Sequence, residues 1–442
     1  MNYKDFFKGK KVTQLGLGLL GRGLGDALFM LQSGVEELTV TDKKTEEELR
    51  TSVEKLAGFQ NLTLHLGGHT VTDFEDKDFI LKGAGVPLDS EFILHAREKG
   101  IPIEMDSSLF VKLLPPGVRT VGVTGTRGKS TTTHLIAHIL RLEAGKGNVF
   151  VGGNIRDMAT LPLLKEVEAG DIVVLELDSW QLQGFGEGKI SPDIAVFTTF
   201  MSDHMNYYGG DMEKYFDDKA NIFKYQKPDG TLVLGDGMQK EVEGRNCKPV
   251  GRIKIGNPNN VPQDWKIKIP GEHNLLNIAC ALEACRALGA SEEKIKEGVE
   301  SFEAVQGRLE FVKEENGVKI WNDNNATTPE AGIAALRALS GGIVLLCGGA
   351  DKNVSLEEFA NVANERCKEI VLLPGTGTEK LKPLLHKFTE VKDLEEGVQK
   401  VLSLTKEGDN FLFSPVFASF GLFKNEYDRN DQFLKIVGEA KK

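Results

Sequence analysis

The segment from Val121 to Thr131 constrains this chain more than any other, because it has the composition of a loop that binds polyphosphate. Residues 119–124, where it begins, are rich in β-branched side chains and predict a short strand, and residues 130–142 have the apolar spacing of a helix. Backbone N–H groups at the start of such a helix can hold phosphate oxygens. The segment therefore predicts a strand, a phosphate loop and a helix within an α/β fold.

The side chains of this loop have separate expected roles. The loop consists of Gly125, Thr126, Arg127, Gly128, Lys129, Ser130 and Thr131. Lys129 would supply a cation to the β- and γ-phosphates, and the hydroxyl of Ser130 or Thr131 suits a magnesium ion. The loop is shorter than the general Walker A pattern, which needs glycine where this chain has Val123. A glycine-rich turn without a ligand is the alternative, and the combination of Gly, Lys, Ser and Thr argues against it.

Length and charge limit the classes of function. A chain of 442 residues is expected to form two or three domains. Its net charge of −11 gives no basic surface for nucleic acid, and no apolar run is long enough to span a membrane. The N-terminus lacks a secretory signal, and the five cysteines have no metal-binding spacing. These features predict a soluble cytoplasmic protein with free thiols.

A second glycine-rich loop lies near the N-terminus. Residues 10–15 predict a strand, and Gly16, Gly18 and Gly21 follow it before a predicted helix at 25–32. A further predicted strand at 38–41 ends in Asp42, which could accept from a ribose hydroxyl. This pattern fits a nicotinamide or flavin enzyme, or any nucleotide diphosphate such as UDP. A glycine-rich turn without a ligand remains the alternative.

Three ionisable residues follow predicted strands after the phosphate loop. Glu176 lies near the end of the apolar run 171–177, where a buried carboxylate needs a cation such as magnesium shared with Ser130. His204 follows the predicted strand 194–199 and suits a second metal, although a loop histidine without a ligand is the alternative. Lys219 lies on an amphipathic helix, where an exposed ammonium group is the ordinary interpretation.

The remaining part of the chain contains two candidate asparagines and then a further series of alternating strands and helices. Asn274 and Asn277 open a helix that continues to residue 285, and their amides suit either an adenine edge or a helix cap. Predicted strands at 318–321, 342–347, 369–373 and 410–413 indicate a second Rossmann-like sheet. Lys352 and Ser419 follow two of these strands and are candidates for binding the carboxylates of an amino acid. The ordinary interpretation of Lys352 alone is a solvated lysine, and that of Ser419 alone is a serine in a turn.

The order of motifs resembles that of the Mur ligase family over essentially the whole chain. The matching segments are Gly125–Ser130, Gly152–Ile155, Glu176–Leu182, Asp203–Met205, Lys219, Gly271–Asn274, Gly307–Glu310 and Asn322–Asp323. The resemblance implies three α/β domains. These are a Rossmann-like uridine-nucleotide domain at 1–104, a central P-loop ATP-binding domain at 105–302 and a C-terminal Rossmann-like amino-acid domain at 303–442.

The resemblance also implies an activity and a set of site residues. The expected reaction is ATP-dependent addition of D-glutamate to UDP-N-acetylmuramoyl-L-alanine, a step of peptidoglycan synthesis, by a monomeric cytoplasmic enzyme that binds no nucleic acid or membrane. Two magnesium ions are implied, held by Ser130, Glu176, His204 and a carboxylated Lys219. Nucleotide contacts are implied at Asn274, Asn277, Arg308 and Asp323. Acceptor contacts are expected at Gly18, Leu19, Leu20, Gly21, Asp42, Gly85 and Asn154.

Several positions depart from the family pattern. Arg127 replaces the usual Asn in the phosphate loop and is expected to add charge there. Leu20 and the turn at 83–84 alter the uridine pocket, and Asn325 and Gly421 replace residues that flank the amino-acid site. A ligase with another amino acid or acceptor, as in folylpolyglutamate-type enzymes, therefore remains an alternative. A regulatory protein that has lost catalysis is a less suitable interpretation, because Glu176, His204 and Lys219 are all present. A nicotinamide dehydrogenase would account only for the motifs of the first domain.

Overall fold

The computed structural model describes residues 2–143, 145, 147–156, 158–245 and 247–439. Three β-sheets flanked by helices make up this part of the chain, which confirms the predicted α/β class. Contacts divide the chain into two compact units, one of Met1–Gln263 with Leu276–Gly298 and one of Asp264–Leu275 with Val299–Lys442. The first two sheets belong to the first unit and the third sheet to the second unit. The predicted domain boundaries at 104/105 and 302/303 stay predictions.

The first sheet has five parallel strands in the order β3-β2-β1-β4-β5. Its strands are β1 (Lys11–Leu15), β2 (Glu37–Asp42), β3 (Leu62–Leu66), β4 (Phe79–Lys82) and β5 (Ile103–Glu104). Its helices are α1 (Tyr3–Phe7), α2 (Arg22–Gln32), α3 (Arg50–Leu56), α4 (Glu91–Glu98) and α5 (Asp106–Leu113). The chain reverses strand order on either side of β1, so the loop after β1 opens at a switch point where α/β sheets bind ligands.

The second sheet has six parallel strands in the order β11-β10-β9-β6-β8-β7. Its strands are β6 (Arg119–Thr124), β7 (Val149–Gly153), β8 (Ile172–Glu176), β9 (Ile194–Phe197), β10 (Thr231–Gly235) and β11 (Arg252–Gly256). The helices are α6 (Lys129–Leu142), α7 (Ser179–Gly188), α8 (Met205–Tyr208), α9 (Met212–Lys224), α10 (Met238–Gly244), α11 (Glu272–Ala287) and α12 (Glu292–Ser301). Every residue of β8 is buried, as expected of a parallel strand covered on both faces.

The third sheet has six strands in the order β12-β13-β17-β14-β15-β16, and only the β12–β13 pair is antiparallel. Its strands are β12 (Glu310–Glu315), β13 (Val318–Asn322), β14 (Ile343–Cys347), β15 (Cys367–Leu372), β16 (Thr389–Glu390) and β17 (Asn410–Phe413). Its helices are α13 (Pro329–Ala338), α14 (Glu357–Arg366), α15 (Thr376–Leu381), α16 (Leu394–Leu404) and α17 (Glu426–Glu439). Short 3₁₀ turns occur at Val71–Phe74, Leu161–Lys165, Pro258–Asn260 and Lys382–Leu384.

Sequence patterns located the central strands better than the edge strands. The predicted strands at 119–124 and 410–413 match β6 and β17 to the residue. The edge strands β3, β5, β7, β11, β12 and β16 were not predicted, because half-exposed or two-residue strands lack a continuous apolar run. The buried central strand β10 was not predicted either. In the described part of the chain, no helix has the length and apolar character needed to cross a bilayer.

Candidate active site

The predicted catalytic segments meet at the carboxyl ends of three adjacent strands. In the second sheet β6 lies between β8 and β9. The phosphate loop follows β6, Glu176 is the last residue of β8, and the segment leading to His204 follows β9. Parallel strands bring their carboxyl ends to one edge. The topology therefore collects residues that are separated by about 50 to 75 positions in the sequence.

The phosphate loop has a conformation that depends on glycine. Gly128 has a φ of 89° and precedes the first residue of α6, and a Cβ at this position would overlap the side-chain oxygen of Asn277. The Thr198 hydroxyl donates to the carbonyl of Arg127 over 2.5 Å and anchors the loop to the end of β9. The N–H groups of the first turn of α6 are thus presented behind a tightly held loop. Such a helix terminus favours an anionic ligand.

Arg127 does not leave an additional free charge beside the phosphates, which differs from the sequence expectation. Its guanidinium donates to Asp203 over 2.7 Å, and its backbone N–H donates to the hydroxyl of Thr199 over 2.9 Å. Burial tends to raise the Asp203 pKa, but the Arg127 guanidinium and His204 hold it at about 2. The arginine therefore ties the phosphate loop to the segment that carries His204.

Lys219 is one of the most deeply buried cationic groups of the molecule, which its sequence context did not predict. Its side chain on α9 is 1% exposed, and its Nζ donates to the Gly125 carbonyl over 3.1 Å and lies 3.4 Å from the Thr124 hydroxyl. Lys129 Nζ donates to the same Gly125 carbonyl over 2.9 Å. Burial, followed by the charge of Lys129, lowers the Lys219 pKa well below its usual value. The structure thus brings Lys219 directly to the phosphate loop.

His204 stands beside this lysine in a left-handed backbone conformation with a φ of 56°. Its ring centroid lies 4.7 Å from the Trp180 ring and 6.0 Å from the Tyr215 ring, and Lys219 Nζ lies 4.9 Å from the centre of the Tyr215 ring. Burial is the main cause that lowers the His204 pKa, so the neutral imidazole that can bind a metal is favoured. An aromatic wall therefore joins His204 to Lys219.

Glu176 and Ser130 have oxygen donors that suit a magnesium ion, whereas a second ion beside His204 requires that Lys219 is carboxylated. Glu176 is 4% exposed, and Ser130 lies in the first turn of α6. In the part of the chain that the structure describes, no three His, Cys, Asp or Glu side chains gather as a metal site. A lysine ammonium beside His204 opposes a second divalent cation, whereas a carboxylated Lys219 would offer oxygen ligands of the kind that magnesium prefers. The low Lys219 pKa favours the neutral amine that such a modification requires.

A cavity of about 710 Å³ opens beside the first glycine-rich loop. Of the predicted acceptor contacts, Gly18, Leu19, Leu20, Asp42 and Gly85 line it. Asp42 accepts from the N–H groups of Leu17 over 2.8 Å and Gly18 over 2.9 Å, so its carboxylate holds the loop itself. Its ribose contact stays a prediction. Gly21 is not among the residues lining the cavity and precedes α2 with a φ of 74°.

Asn154 connects a residue of this cavity to the end of β8. Its backbone N–H donates to the Glu176 carbonyl over 2.7 Å, and its side-chain oxygen accepts from Arg22 Nη1 over 2.6 Å. Arg22 lines the cavity, and Asn154 is not among the residues that line it. The acceptor contact of Asn154 stays a prediction. The sequence did not indicate Arg22, although its position beside the glycine fingerprint was an available signal.

Lys82 is a second buried lysine that the sequence did not reveal. It is the last residue of β4, and its Nζ lies within 3.3 Å of the carbonyls of Gly83, Ala84 and Val86. Burial lowers the Lys82 pKa to about 8, although nearby carboxylates, first Asp178, act in the opposite direction. The ammonium therefore organises the turn at 83–86 that forms one wall of the cavity.

The second unit has its own cavity of about 230 Å³. Lys352, Ser419, Asn325 and Arg308 line it, and Lys352 Nζ donates to the Thr327 hydroxyl over 3.0 Å. The loops after β14 and β17 are joined by a bridge between Ala350 and Ala418, as expected from their shared edge of the sheet. Gly421 is not among the residues that line this cavity.

Asn274 and Asp323, two further predicted nucleotide residues, are held by hydrogen bonds within the second unit. Asn274 Nδ2 donates to the Pro270 carbonyl over 2.7 Å. The two carboxylate oxygens of Asp323 accept from the Leu309 N–H over 3.0 Å and from the Ser414 hydroxyl over 2.9 Å. Burial raises the Asp323 pKa to about 7. Their direct contacts with a nucleotide stay predictions.

One further buried cation shapes the second unit. Arg429 is fully buried and donates to Asn324 Oδ1 over 2.8 Å, the Asn324 carbonyl over 2.8 Å and the Phe417 carbonyl over 3.1 Å. It therefore fixes the segment before Asn325 against the segment before Ser419. Sequence reasoning missed Arg429, because nothing in its polar local context distinguishes it from a surface arginine.

The fold and the phosphate loop define a P-loop nucleotide-binding α/β protein. The Mur ligase middle domain matches residues 123–285, and the Mur ligase glutamate ligase domain matches residues 307–417. Full-length relatives strengthen this match: the UDP-N-acetylmuramoylalanine--D-glutamate ligase of Roseiflexus sp. (strain RS-1) is 35% identical over 97% of this chain and 98% of its own. The corresponding ligase of Clostridium botulinum (strain Alaska E43 / Type E3) is 34% identical over 99% and 98%. The chain therefore belongs to the Mur ligase family.

Solved structures agree with this fold. The UDP-N-acetylmuramate-alanine ligase MurC of Thermotoga maritima has a TM-score of 0.61 at 20% identity, covering 98% of this chain and 100% of its own. The MurF ligase of the same organism, solved with ADP, has a TM-score of 0.61 at 19% identity, covering 98% and 95%. At these identities the similarity concerns the fold.

Proposed function

We propose that this Mur ligase adds D-glutamate to UDP-N-acetylmuramoyl-L-alanine and couples this step to cleavage of ATP to ADP and phosphate. The relatives named for this activity match over nearly the full chain at 34–35% identity. The observation that supports the proposal is the convergence of Lys129 and Lys219 on the Gly125 carbonyl. Asn154 links Arg22 of the acceptor cavity to the backbone of Glu176.

The proposed reaction has two chemical steps. The acceptor carboxylate attacks the γ-phosphorus of ATP, which forms an acyl phosphate and releases ADP. The amine of D-glutamate then attacks the acyl carbon, and loss of phosphate and a proton leaves the amide. Lys129 would stabilise negative charge on the transferred phosphoryl group, and the N–H groups at the start of α6 would orient the phosphates.

The metal ligands form a separate part of the proposal. Ser130 and Glu176 would hold one magnesium ion, and His204 with a carboxylated Lys219 would hold the other. When bound, these ions supply positive charge that neutralises the phosphate oxygens. The residues themselves contribute a buried carboxylate, a neutral imidazole and a lysine whose lowered pKa favours reaction with carbon dioxide.

The amino acid is assigned to the cavity of the second unit. Lys352 would pair with a carboxylate of D-glutamate, and the Ser419 hydroxyl would donate to it. Asn325 lines the same cavity where the family pattern has Lys, so the second candidate is a Mur-type ligase for a different amino acid. We also propose that the enzyme acts as a monomer in the cytoplasm, where ATP and nucleotide-linked precursors are available.

The test is a panel of D- and L-amino acids at fixed ATP and UDP-N-acetylmuramoyl-L-alanine, scored by amide product. We expect D-glutamate to exceed its isomers by about 10⁴-fold, because a site built from buried polar groups rejects ligands that leave them unpaired. Reactions without the acceptor control for uncoupled ATP hydrolysis. Preference for another amino acid by hundreds of times would refute D-glutamate and leave the ligase assignment standing.

A further inference from the structure

The segment that carries His204 has little buried surface of its own. Residues 201–211 lie between β9 and α9, the structure describes all of them, and Tyr208 is the single buried residue among them. His204 has a φ of 56°, and the short helix α8 that follows it is succeeded by Gly209 with a φ of 61°. Core packing holds such a segment weakly. The position of His204 therefore depends on a few specific contacts.

The first of these contacts fixes the start of the segment. Asp203 accepts from the backbone N–H of His204 over 2.9 Å and pairs with Arg127 of the phosphate loop over 2.7 Å. The carbonyl of His204 accepts from the backbone N–H groups of Tyr207 over 2.9 Å and Tyr208 over 3.1 Å. His204 is thereby continuous with the single turn of α8. Contacts that hold the two tyrosines also hold the backbone of His204.

The carboxylate of Asp218 holds the other end of this turn. Asp218 lies on α9, and its Oδ2 accepts from the Tyr208 hydroxyl over 3.0 Å and from Gln183 Nε2 over 2.8 Å. Gln183 lies on α7, and its Nε2 also donates to the Tyr207 hydroxyl over 3.1 Å. Both tyrosines of α8 are therefore tied into one hydrogen-bond network with α7 and α9.

This network joins the two residues that are expected to share a magnesium ion. Asp218 directly precedes Lys219 on α9. Its partner Tyr208 belongs to the turn that begins immediately after His204. The Tyr208 ring also packs on the Tyr215 ring, with their centroids 5.0 Å apart, and Tyr215 borders both expected ligands. One carboxylate therefore bridges the turn that carries His204 and the helix that carries Lys219.

We infer that Asp218 is a positioning residue that fixes His204 relative to Lys219 by holding the turn of α8. Side chains behind a metal-binding group orient that group, and their loss typically lowers metal affinity roughly 10- to 100-fold. Asp218 acts through α8 and is not itself assigned as a metal ligand. The inference rests on the metal ligands of the proposed function, because it concerns the second of the two ions.

Titration of the full-length enzyme with Mn²⁺ tests this role, followed by electron paramagnetic resonance in bicarbonate-containing buffer with a non-hydrolysable ATP analogue. Asp218→Ala removes the shared acceptor, and Tyr208→Phe removes one donor while it keeps the ring. Asp218→Ala should weaken binding of the second ion about tenfold or more, and the affinity for the nucleotide should stay within about twofold of wild type. Asp218→Asn retains an oxygen that accepts hydrogen bonds and should bind the second ion more tightly than Asp218→Ala does.

The neighbouring carboxylate on the same helix provides the matched control. Asp217 is exposed and pairs with Lys224 over 3.0 Å, so Asp217→Ala should leave the affinity for both ions unchanged. Thermal unfolding of each variant separates positioning from stability. A lower unfolding temperature of Asp218→Ala with an unchanged affinity for the second ion would assign Asp218 a structural role and overturn the inference.

The outcomes separate the positioning role from the function on which it rests. The titration contains neither acceptor nor amino acid, so its result does not depend on the choice of D-glutamate. Binding of a single Mn²⁺ ion by the wild-type complex would overturn the proposed second ion and the inference together. An equal loss of affinity for the nucleotide and for the second ion in Asp218→Ala would overturn the positioning role alone. If Asp218→Ala does not fold, Tyr208→Phe provides the comparison, and second-ion binding equal to wild type in Tyr208→Phe would reject the inference.

Discussion

Replacement of Lys129 by alanine examines the phosphate loop most directly. The Lys129 side chain projects from the first residue of α6 toward the loop, where its Nζ donates to the carbonyls of Gly125 over 2.9 Å and Thr126 over 3.2 Å. We expect the substitution to remove a cation from the transferred phosphoryl group. Loss of one such preorganised group costs about 3–4 kcal/mol in the transition state, or roughly 10²- to 10³-fold in rate.

Stability should change much less than activity. Lys129 is partly exposed, and its charge raises the electrostatic cost of the buried Lys219, so its removal relieves a repulsion while it deletes loop contacts. The free energy of unfolding should therefore change by about 1 kcal/mol or less. Lys129→Arg keeps the charge with a different shape and should retain more activity than Lys129→Ala.

The assay is phosphate release at saturating acceptor and D-glutamate, alongside thermal unfolding of each variant. Lys214→Ala removes an exposed ammonium from the first turn of α9 and serves as the control. Phosphate release within about tenfold of wild type by a folded Lys129→Ala protein would refute the assignment of this loop to ATP. A large loss of unfolding temperature would instead assign Lys129 a structural role.

Two further predictions concern buried ionisable groups. Lys219→Ala should lower ligase activity strongly, and short carboxylic acids in solution should partly restore this activity by replacing the carbamate oxygens. Full activity of Lys219→Ala in bicarbonate-free buffer would contradict carboxylation. Burial raises the pKa of Asp323 in the folded protein to about 7. The protonated carboxyl group therefore stabilises the fold fully below about pH 4, and this stabilisation is lost between about pH 4 and 7. The free energy of unfolding should fall by an amount on the order of 4 kcal/mol over this range. In Asp323→Asn the unfolding temperature should fall less between pH 4 and 7 than it does in wild type. The same dependence of unfolding temperature on pH in both proteins would contradict the raised pKa of Asp323.

The sequence alone determined the elements whose signals are local. The β-branched run at 119–124, the glycines at 125 and 128 and the apolar spacing of α6 follow from neighbouring residues, because strand and helix periodicities are properties of short windows. The order of motifs likewise indicated the Mur ligase family before any contact was known. Edge strands such as β3 and β12 were not predicted from the sequence, because the polar residues on their exposed faces interrupt the apolar pattern.

Only the tertiary structure decided which charged groups are buried and what they contact. The partner of Arg127 is Asp203, 76 positions away, and Arg22 reaches Asn154 across 132 positions. Asp26, Asp106 and Lys82 are ordinary polar residues in their local sequences, yet they line one cavity. Local patterns encode which face of an element is apolar, whereas burial of a charge depends on the distant segments that cover it, so these groups became visible only when the fold had brought those segments together.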